Sequence, residues 1–185
     1  IVIISVPQNN SLLKNDPNVS NTLASTETQL AFLGEYVAQK HMEDNVIVLK
    51  DNNARDDYYS IFQNAFSAQH IDSAKQTYMN TGLTALAGKL DKNRLNVLIV
   101  PSNDVQYVSE FLTKLNAVTN QRAYHAFQFK VYVLGDWLSF NNIDVDYLSR
   151  LNTGFTKASH VDYSNEKIQK MSQTFRATYN YDPNK

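Results

Sequence analysis

Three apolar runs constrain the fold of this chain more than any other feature of its sequence. They cover Val46 to Leu49, Leu95 to Val100 and Phe129 to Leu134. Each has the length of a strand, and none keeps the strict apolar–polar alternation of a strand with one face in water. Near-continuous apolar strands are typical of parallel sheets that helices cover on both faces. The sequence therefore predicts an α/β domain built on a mostly parallel sheet.

Segments with helical periodicity separate these runs. Thr26 is the predicted N-cap of the first helix and Gln29 completes its capping box, with Leu30, Leu33 and Val37 on the apolar side. Further helices are predicted around residues 56–66, 83–90, 105–118, 144–151 and 165–180. Further strands are predicted at 1–6, 74–79 and 155–161, and a polar connector at 8–26. This order favours a three-layer αβα sandwich.

Charge and size exclude several function classes. The 185 residues suffice for one globular unit, and 17 basic against 18 acidic residues leave a net charge of −1. The charges are scattered, whereas a nucleic-acid binder needs a concentrated basic face, so we expect no nucleic-acid partner. No apolar run approaches the roughly 20 residues of a membrane span.

The chain has no cysteine, which excludes disulfides, thiol nucleophiles and iron–sulfur clusters within it. It begins at Ile1, directly with a strand-like run, and we expect it to be a mature fragment or an excised domain.

Catalytic and cofactor motifs of α/β proteins are missing from the sequence. Its five glycines form no GxGxxG turn and no phosphate-binding loop, and no GxSxG elbow occurs. His41, His70, His125 and His160 lack ligand spacing and are predicted to be surface or capping residues. The segment from Asp51 to Asp57 fails as a calcium loop because Asp56 stands where glycine is required. The sequence predicts no cofactor, no metal and no enzyme.

Polar and aromatic residues follow each of the three apolar runs. In open α/β sheets ligands bind beyond the carboxyl ends of the strands, where these residues would meet. The candidate ligand-binding residues are Asp51, Asn53, Arg55 and Tyr58 after the first run, Ser102, Asn103 and Asp104 after the second, and Asp136 and Trp137 after the third. Their mixture of amide, hydroxyl, charged and aromatic groups suits a small polar ligand in a cleft.

Each of these stretches has a simpler structural interpretation. Asp and Asn commonly precede helices because they cap them, and Trp137 with Phe140 would cover the end of the sheet. Arg55 is the most informative candidate, because a lone cation at this edge can hold a carboxylate through two hydrogen bonds.

Several segments resemble the second lobe of a two-lobed receptor. The segments are 29–37 (QLAFLGEYV) with 45–49 (NVIVL), 95–104 ending in VPSND, and 175–183 (FRATYNYDP). They are similar to the type 1 periplasmic binding proteins of the amino-acid-receptor kind. The resemblance implies that residues 1–28 are the end of the first lobe and the crossover, and that residues 29–185 are the second-lobe α/β domain. Of the site residues it extends only to Asp51 and Tyr58, because the Tyr-Gly pair that usually follows the aspartate is absent.

A narrower resemblance involves 133–137 (VLGDW) and 140–144 (FNNID). These segments are similar to the receptor-like domain of LysM peptidoglycan-binding proteins of Bacteroidetes-type bacteria. The resemblance implies a place in the periplasm or cell envelope and a contact with peptidoglycan through other domains.

Two functional hypotheses follow. The first is a non-enzymatic, receptor-like domain that binds a small polar ligand such as an amino acid or a peptide by closure of two lobes. The alternative is a ligand-free structural or interaction module attached to peptidoglycan-binding LysM domains. A lobe cut from such a protein would expose an apolar face, so self-association of the fragment into a homo-oligomer is also expected.

Overall fold

The three apolar runs form the centre of a five-stranded sheet. The computed structural model describes residues 3–5, 19–21, 24–50, 56–69, 77–135, 137, 140–141, 143–157 and 164–180. Its strands are β1 (Ile3–Ser5), β2 (Val19–Asn21), β3 (Asn45–Leu49), β4 (Thr77–Thr81), β5 (Leu95–Val100), β6 (Gln128–Val133) and β7 (Thr153–Phe155). Its helices are α1 (Thr26–Lys40), α2 (Asp56–Ala68), α3 (Val105–Thr119), α4 (Val145–Arg150) and α5 (Glu166–Tyr179), with 3₁₀ turns at Leu83–Lys89 and Arg122–Tyr124.

The large sheet is parallel throughout, with the strand order β4-β3-β5-β6-β7. From β3 the chain moves outward to β4 and then returns past β3 to β5, so the winding direction reverses between β3 and β5. β1 and β2 form a separate parallel pair. The predicted α/β class, with a mostly parallel sheet between helices, is confirmed.

Two apolar cores lie on opposite faces of the sheet. On the first face, α1 and α2 cover the alternate strand residues Val46, Val48, Val97, Ile99 and Tyr132. On the second face, α3, α4 and the 3₁₀ turn at Leu83–Lys89 cover Ile47, Leu49, Leu98, Val100, Val131 and Val133. We call these the α1 face and the α3 face. Because both faces are covered, the central strands need apolar residues at nearly every position, which explains the near-continuous runs.

Buried asparagines join the strands at the amino edge of the sheet. Asn45 Nδ2 donates to Asn96 Oδ1 at 2.9 Å, and Thr77 Oγ1 donates to Asn45 Oδ1 at 2.7 Å. Asn96 Nδ2 also donates to the carbonyl oxygen of Gln128 at 3.1 Å. Asn96, the polar residue within β5, therefore has hydrogen-bond partners in both neighbouring strands, as a buried amide requires.

Some element boundaries differ from the predicted ones. The N-cap of α1 is Ser25, whose hydroxyl accepts from the Thr28 N–H at 3.2 Å, and not Thr26. β4 extends to Thr81 because it pairs with the whole of β3, and β7 begins at Thr153 because it pairs with β6 from Val131 onward. The predicted helix at 83–90 is a 3₁₀ turn. β2 lies inside residues 8–26, which were predicted to be a polar connector because their sequence does not have the pattern of a strand.

Tyr78 makes the stability of the fold sensitive to alkaline pH. Its ring packs on Phe62 and Phe66, and burial raises its pKa to about 12, although a hydrogen bond to Asn80 acts in the opposite direction. Below the ordinary tyrosine pKa of about 10 the phenol is neutral in both the folded and the unfolded state. Between pH about 10 and about 12 only the unfolded chain loses this proton, so the free energy of unfolding falls as pH rises.

We expect Tyr78→Phe to make this alkaline decline shallower, as measured by urea denaturation at a series of pH values. Burial also raises the pKa values of Tyr132 and Tyr147, so part of the decline remains in the variant. Equal slopes for the variant and the natural chain would show that Tyr78 does not contribute.

Candidate functional site

The carboxyl edge of the sheet, between β3 and β5, is the place where this topology favours a ligand site. The connections from β3 and β5 leave in opposite directions there, which is the position where ligands bind in open α/β sheets. Among the described residues, Lys50 follows β3 and segment 101–104 follows β5. Lys50 is exposed, and its N–H donates to the carbonyl oxygen of Thr81 at 2.8 Å.

Segment 101–104 carries three of the predicted site residues in a fixed turn. Ser102 is only 3% exposed, and its hydroxyl accepts from the Asp104 N–H at 3.2 Å. Asp104 is the N-cap of α3, and its Oδ1 accepts from the Tyr107 N–H at 2.8 Å. Asn103 lies between them and is exposed. The capping interpretation of Asp104 is confirmed, and solvent reaches both Asn103 and Asp104.

Gly135 supports Asn103 from the neighbouring loop. It has φ +80°, a conformation that favours glycine, and a Cβ there would lie 3.1 Å from Cγ of Asn103. Its N–H donates to Thr156 Oγ1 at 3.2 Å. The ends of β5, β6 and β7 are therefore connected through Asn103, Gly135 and Thr156.

Trp137 lies beneath this edge. It is 0% exposed, and its ring packs edge-on against Phe111 with 6.1 Å between centroids. Its Nε1–H donates to the carbonyl oxygen of Ser102 at 3.1 Å. This placement corresponds to the simpler interpretation, in which Trp137 covers the end of the sheet, and it lets the ring hold the turn at 102–104 from below.

The other predicted site residues divide into two groups. Tyr58 is partly buried in the first turn of α2, the helix that follows β3. Asp51, Asn53, Arg55 and Asp136 lie outside the described residues. The structure therefore brings together Ser102, Asn103 and Asp104, with Trp137 under them.

A buried hydrogen-bonded network on the α1 face is the feature that sequence reasoning missed. His41 is the C-cap of α1, as the capping interpretation allowed, but it is only 6% exposed. Its Nδ1 lies 2.7 Å from Asp44 Oδ2, and its Nε2 lies 2.9 Å from the hydroxyl of Tyr132. The spacing of His41 and Asp44 was a local signal, whereas Tyr132 is 91 positions away and gave none.

The protonation pattern of this network follows from its partners. A carboxylate oxygen only accepts, so the His41 ring donates to Asp44 from Nδ1. Burial and a hydrogen bond with Tyr36 raise the pKa of Tyr132, which keeps its phenol neutral. The network ties the end of α1 to the middle of the sheet.

The described part of the chain has neither a metal centre nor a membrane-spanning helix. Within it, no group of three His, Asp or Glu side chains could hold a metal ion. No helix in these same ranges has both the length and the apolar character to cross a bilayer.

The fold has solved counterparts. One structure, an ABC transporter substrate-binding protein from Desulfitobacterium hafniense, aligns with 90% of this chain and 46% of its own, at 16% identity and a TM-score of 0.55. A second, described as an ABC transporter substrate-binding protein from the same organism in complex with Leu, aligns with 94% of this chain and 48% of its own, at 15% identity and a TM-score of 0.56. This chain has the fold of about half of a type 1 periplasmic binding protein.

The likeness to periplasmic binding proteins is one of fold. The chain spans about half the length of these two proteins. No family model and no curated protein matches it. The predicted resemblance to the periplasmic-binding-protein fold is confirmed, and the narrower resemblance to LysM-associated domains stays a prediction.

Proposed function

We propose that this chain is a non-enzymatic, receptor-like domain of the solute-binding type. It binds a small polar ligand, such as an amino acid or a short peptide, at the carboxyl edge of the sheet. The observation that carries the proposal is the exposed Asn103, held against Gly135 at the edge where the winding of the sheet reverses. Its place of action is the periplasm or cell envelope.

The chemistry of the edge suits a zwitterionic ligand. The Asn103 amide offers both donors and an acceptor, Asp104 carries a negative charge, and exposed Lys50, directly after β3, carries a positive charge. The ammonium group of an amino acid would face Asp104, and its carboxylate would face Lys50. Asp51, Asn53 and Arg55 remain part of this proposal as residues of the loop after β3.

Ligand binding would involve two lobes. In this proposal residues 1–28 form the end of the first lobe and the crossover, and residues 29–185 form the second lobe. Closure of the lobes would remove water from the ligand, and the crossover would act as one hinge.

Thermal unfolding with candidate ligands tests the proposal. We expect one amino acid, dipeptide or peptidoglycan-derived peptide to raise the Tm of the protein in its natural full length, because a ligand that binds only the folded state stabilises it. Saturation at about 100 times Kd adds about 2.7 kcal/mol to the free energy of unfolding. Asn103→Ala should remove the shift.

Asn120→Ala is the matched control, because Asn120 is an exposed asparagine at the other end of α3. It should leave the ligand shift intact. If no ligand raises the Tm while the protein is still retained on peptidoglycan, the receptor function is wrong. A ligand-free module beside LysM domains would then be the better description.

A further inference from the structure

A cavity lies on the α1 face of the sheet. It has a volume of about 580 Å³ and lies between α1 and the surface of β6 and β7. Phe32 and Tyr36 of α1 form one wall, Lys130 and Tyr132 of β6 with Gly154 of β7 form the floor, and Lys157 stands at the end of β7. Thr156, whose hydroxyl accepts from the Gly135 N–H at the carboxyl edge, also lines it, whereas the candidate site residues Tyr58, Ser102, Asn103, Asp104 and Trp137 do not.

Gly154 keeps the floor of the cavity open. It pairs with Tyr132 in the parallel register, so both residues are on the α1 face. A Cβ on Gly154 would lie 2.9 Å from Cδ1 of the Tyr132 ring, so a side chain here would displace the ring. The Tyr132 hydroxyl is held by His41, which fixes the ring in its position. The floor is therefore a preformed aromatic surface.

The charge of the cavity is one-sided. Lys130 and Lys157 contribute two ammonium groups, and no acidic residue is among the described residues that line it. Lys130 Nζ donates to Asn152 Oδ1 at 2.9 Å and lies 5.1 Å from the centroid of the Tyr132 ring. An ammonium group has three donors, and Asn152 takes one of them. Lys130 is thus held in place by neutral groups while its charge is not neutralised by them.

The aromatic wall is exposed to solvent. Phe32 is 68% exposed, although its ring lies beside an apolar cavity. An apolar cavity with a few convergent polar groups is the usual form of a small-molecule site. Exposed aromatic surface at its rim favours a ligand that covers that surface.

From this combination we infer that the cavity binds a small aromatic carboxylate. The ring of the ligand packs between Phe32 and Tyr132, and its carboxylate accepts charge-assisted hydrogen bonds from Lys130 and Lys157. The aromatic floor selects a flat apolar body, and the two ammonium groups select a negative charge. The cavity shares Thr156 with the carboxyl edge but none of the described ligand-binding candidates there, so this inference does not rest on the proposed function.

Titration calorimetry with phenylacetate tests the inference, with the neutral phenylacetamide as the matched probe. We expect phenylacetate to bind at least about tenfold more tightly than the amide, because only the anion pairs with the ammonium groups. Replacing both lysines, Lys130→Gln with Lys157→Gln, should remove this preference. Phe32→Ala should weaken the binding of both phenylacetate and phenylacetamide. Because Phe32 is exposed, the variant should still fold.

Two control variants test whether binding is specific to this cavity. Lys92→Gln removes an exposed lysine outside the cavity and should leave phenylacetate binding unchanged. Asn103→Ala should also leave it unchanged, even if that substitution abolishes amino-acid binding at the carboxyl edge. A loss of phenylacetate binding in Asn103→Ala would overturn the inference of a separate site.

Three other outcomes would overturn the inference as a whole. The first is no heat of binding with millimolar phenylacetate. The second is equal affinity for phenylacetate and phenylacetamide, which would show that the lysines do not recognise the charge. The third is a dimer in sedimentation that Phe32→Ala dissociates and phenylacetate does not affect, which would make the cavity a contact surface between two copies.

Discussion

Trp137→Ala is expected to lower the free energy of unfolding by about 3–5 kcal/mol, the range for removal of a large buried aromatic ring. The side chain is fully buried, and its loss would leave a cavity against Phe111 under the carboxyl edge. The carbonyl oxygen of Ser102 would also lose its hydrogen bond from the indole.

Two further variants separate these contributions. Trp137→Phe keeps most of the ring and removes the indole donor, so we expect a smaller loss of about 1–3 kcal/mol. Phe32→Ala removes an exposed aromatic ring and should change stability by no more than about 0.5 kcal/mol.

Urea denaturation should be followed by far-ultraviolet circular dichroism, because Trp137 is the single tryptophan of the chain and its fluorescence is lost in the variants. A loss below about 1 kcal/mol in Trp137→Ala would be too small for a packed core residue. It would mean that the ring does not pack under the sheet edge.

Gly34→Ala is expected to destabilise the fold although alanine is the better helix former. In an open helix position the change would stabilise by about 1 kcal/mol. At Gly34, however, the new Cβ would lie 2.6 Å from the carbonyl oxygen of Phe62 and 3.0 Å from Cβ of Ala65. Backbone cannot move aside as a side chain can, so α1 and α2 must separate. We expect a net loss of about 1–3 kcal/mol, the usual cost of overpacking.

Gly88→Ala is the matched control for this substitution. Gly88 lies in the 3₁₀ turn at Leu83–Lys89, and a Cβ there meets no atom within 4 Å. In the same urea experiment we expect the free energy of unfolding of Gly88→Ala to be unchanged or slightly higher than that of the natural chain. If Gly34→Ala and Gly88→Ala change the free energy of unfolding by the same amount, the close approach of α1 and α2 at Gly34 does not limit packing.

The central sheet could be predicted because its signal is local. Residues in β3 and β5 are buried on both faces, so all positions except Asn45 and Asn96 are apolar. This pattern is visible without knowledge of any partner strand. The helices α1 and α3 were predicted from periodicity, and Asp104 caps α3 as the capping interpretation expected, whereas Ser25 and not Thr26 caps α1. β4 was misplaced because its boundaries depend on pairing with β3 and not on its own residues.

The candidate site was only partly predictable, because it also depends on contacts between residues that are distant in the sequence. The sequence placed Asn103 and Trp137 in loops after neighbouring strands, but it assigned both to one ligand surface. The structure exposes Asn103 and buries Trp137 beneath it, because burial depends on what the α3 face packs against that edge. Local composition carries no information on that packing.

The sequence by itself determined the parallel α/β class, the order of helices and central strands, and the exclusion of a nucleotide-phosphate loop and a catalytic serine elbow. Only the tertiary structure decided that His41 hydrogen-bonds to Tyr132, that Gly154 leaves the floor of a cavity open, and that Lys130 and Lys157 reach that cavity without an acidic neighbour among the described lining residues. Strand and helix patterns arise from the burial of neighbouring residues along the chain. These contacts join residues that are distant in sequence, so their positions are fixed only when the sheet and α1 pack together.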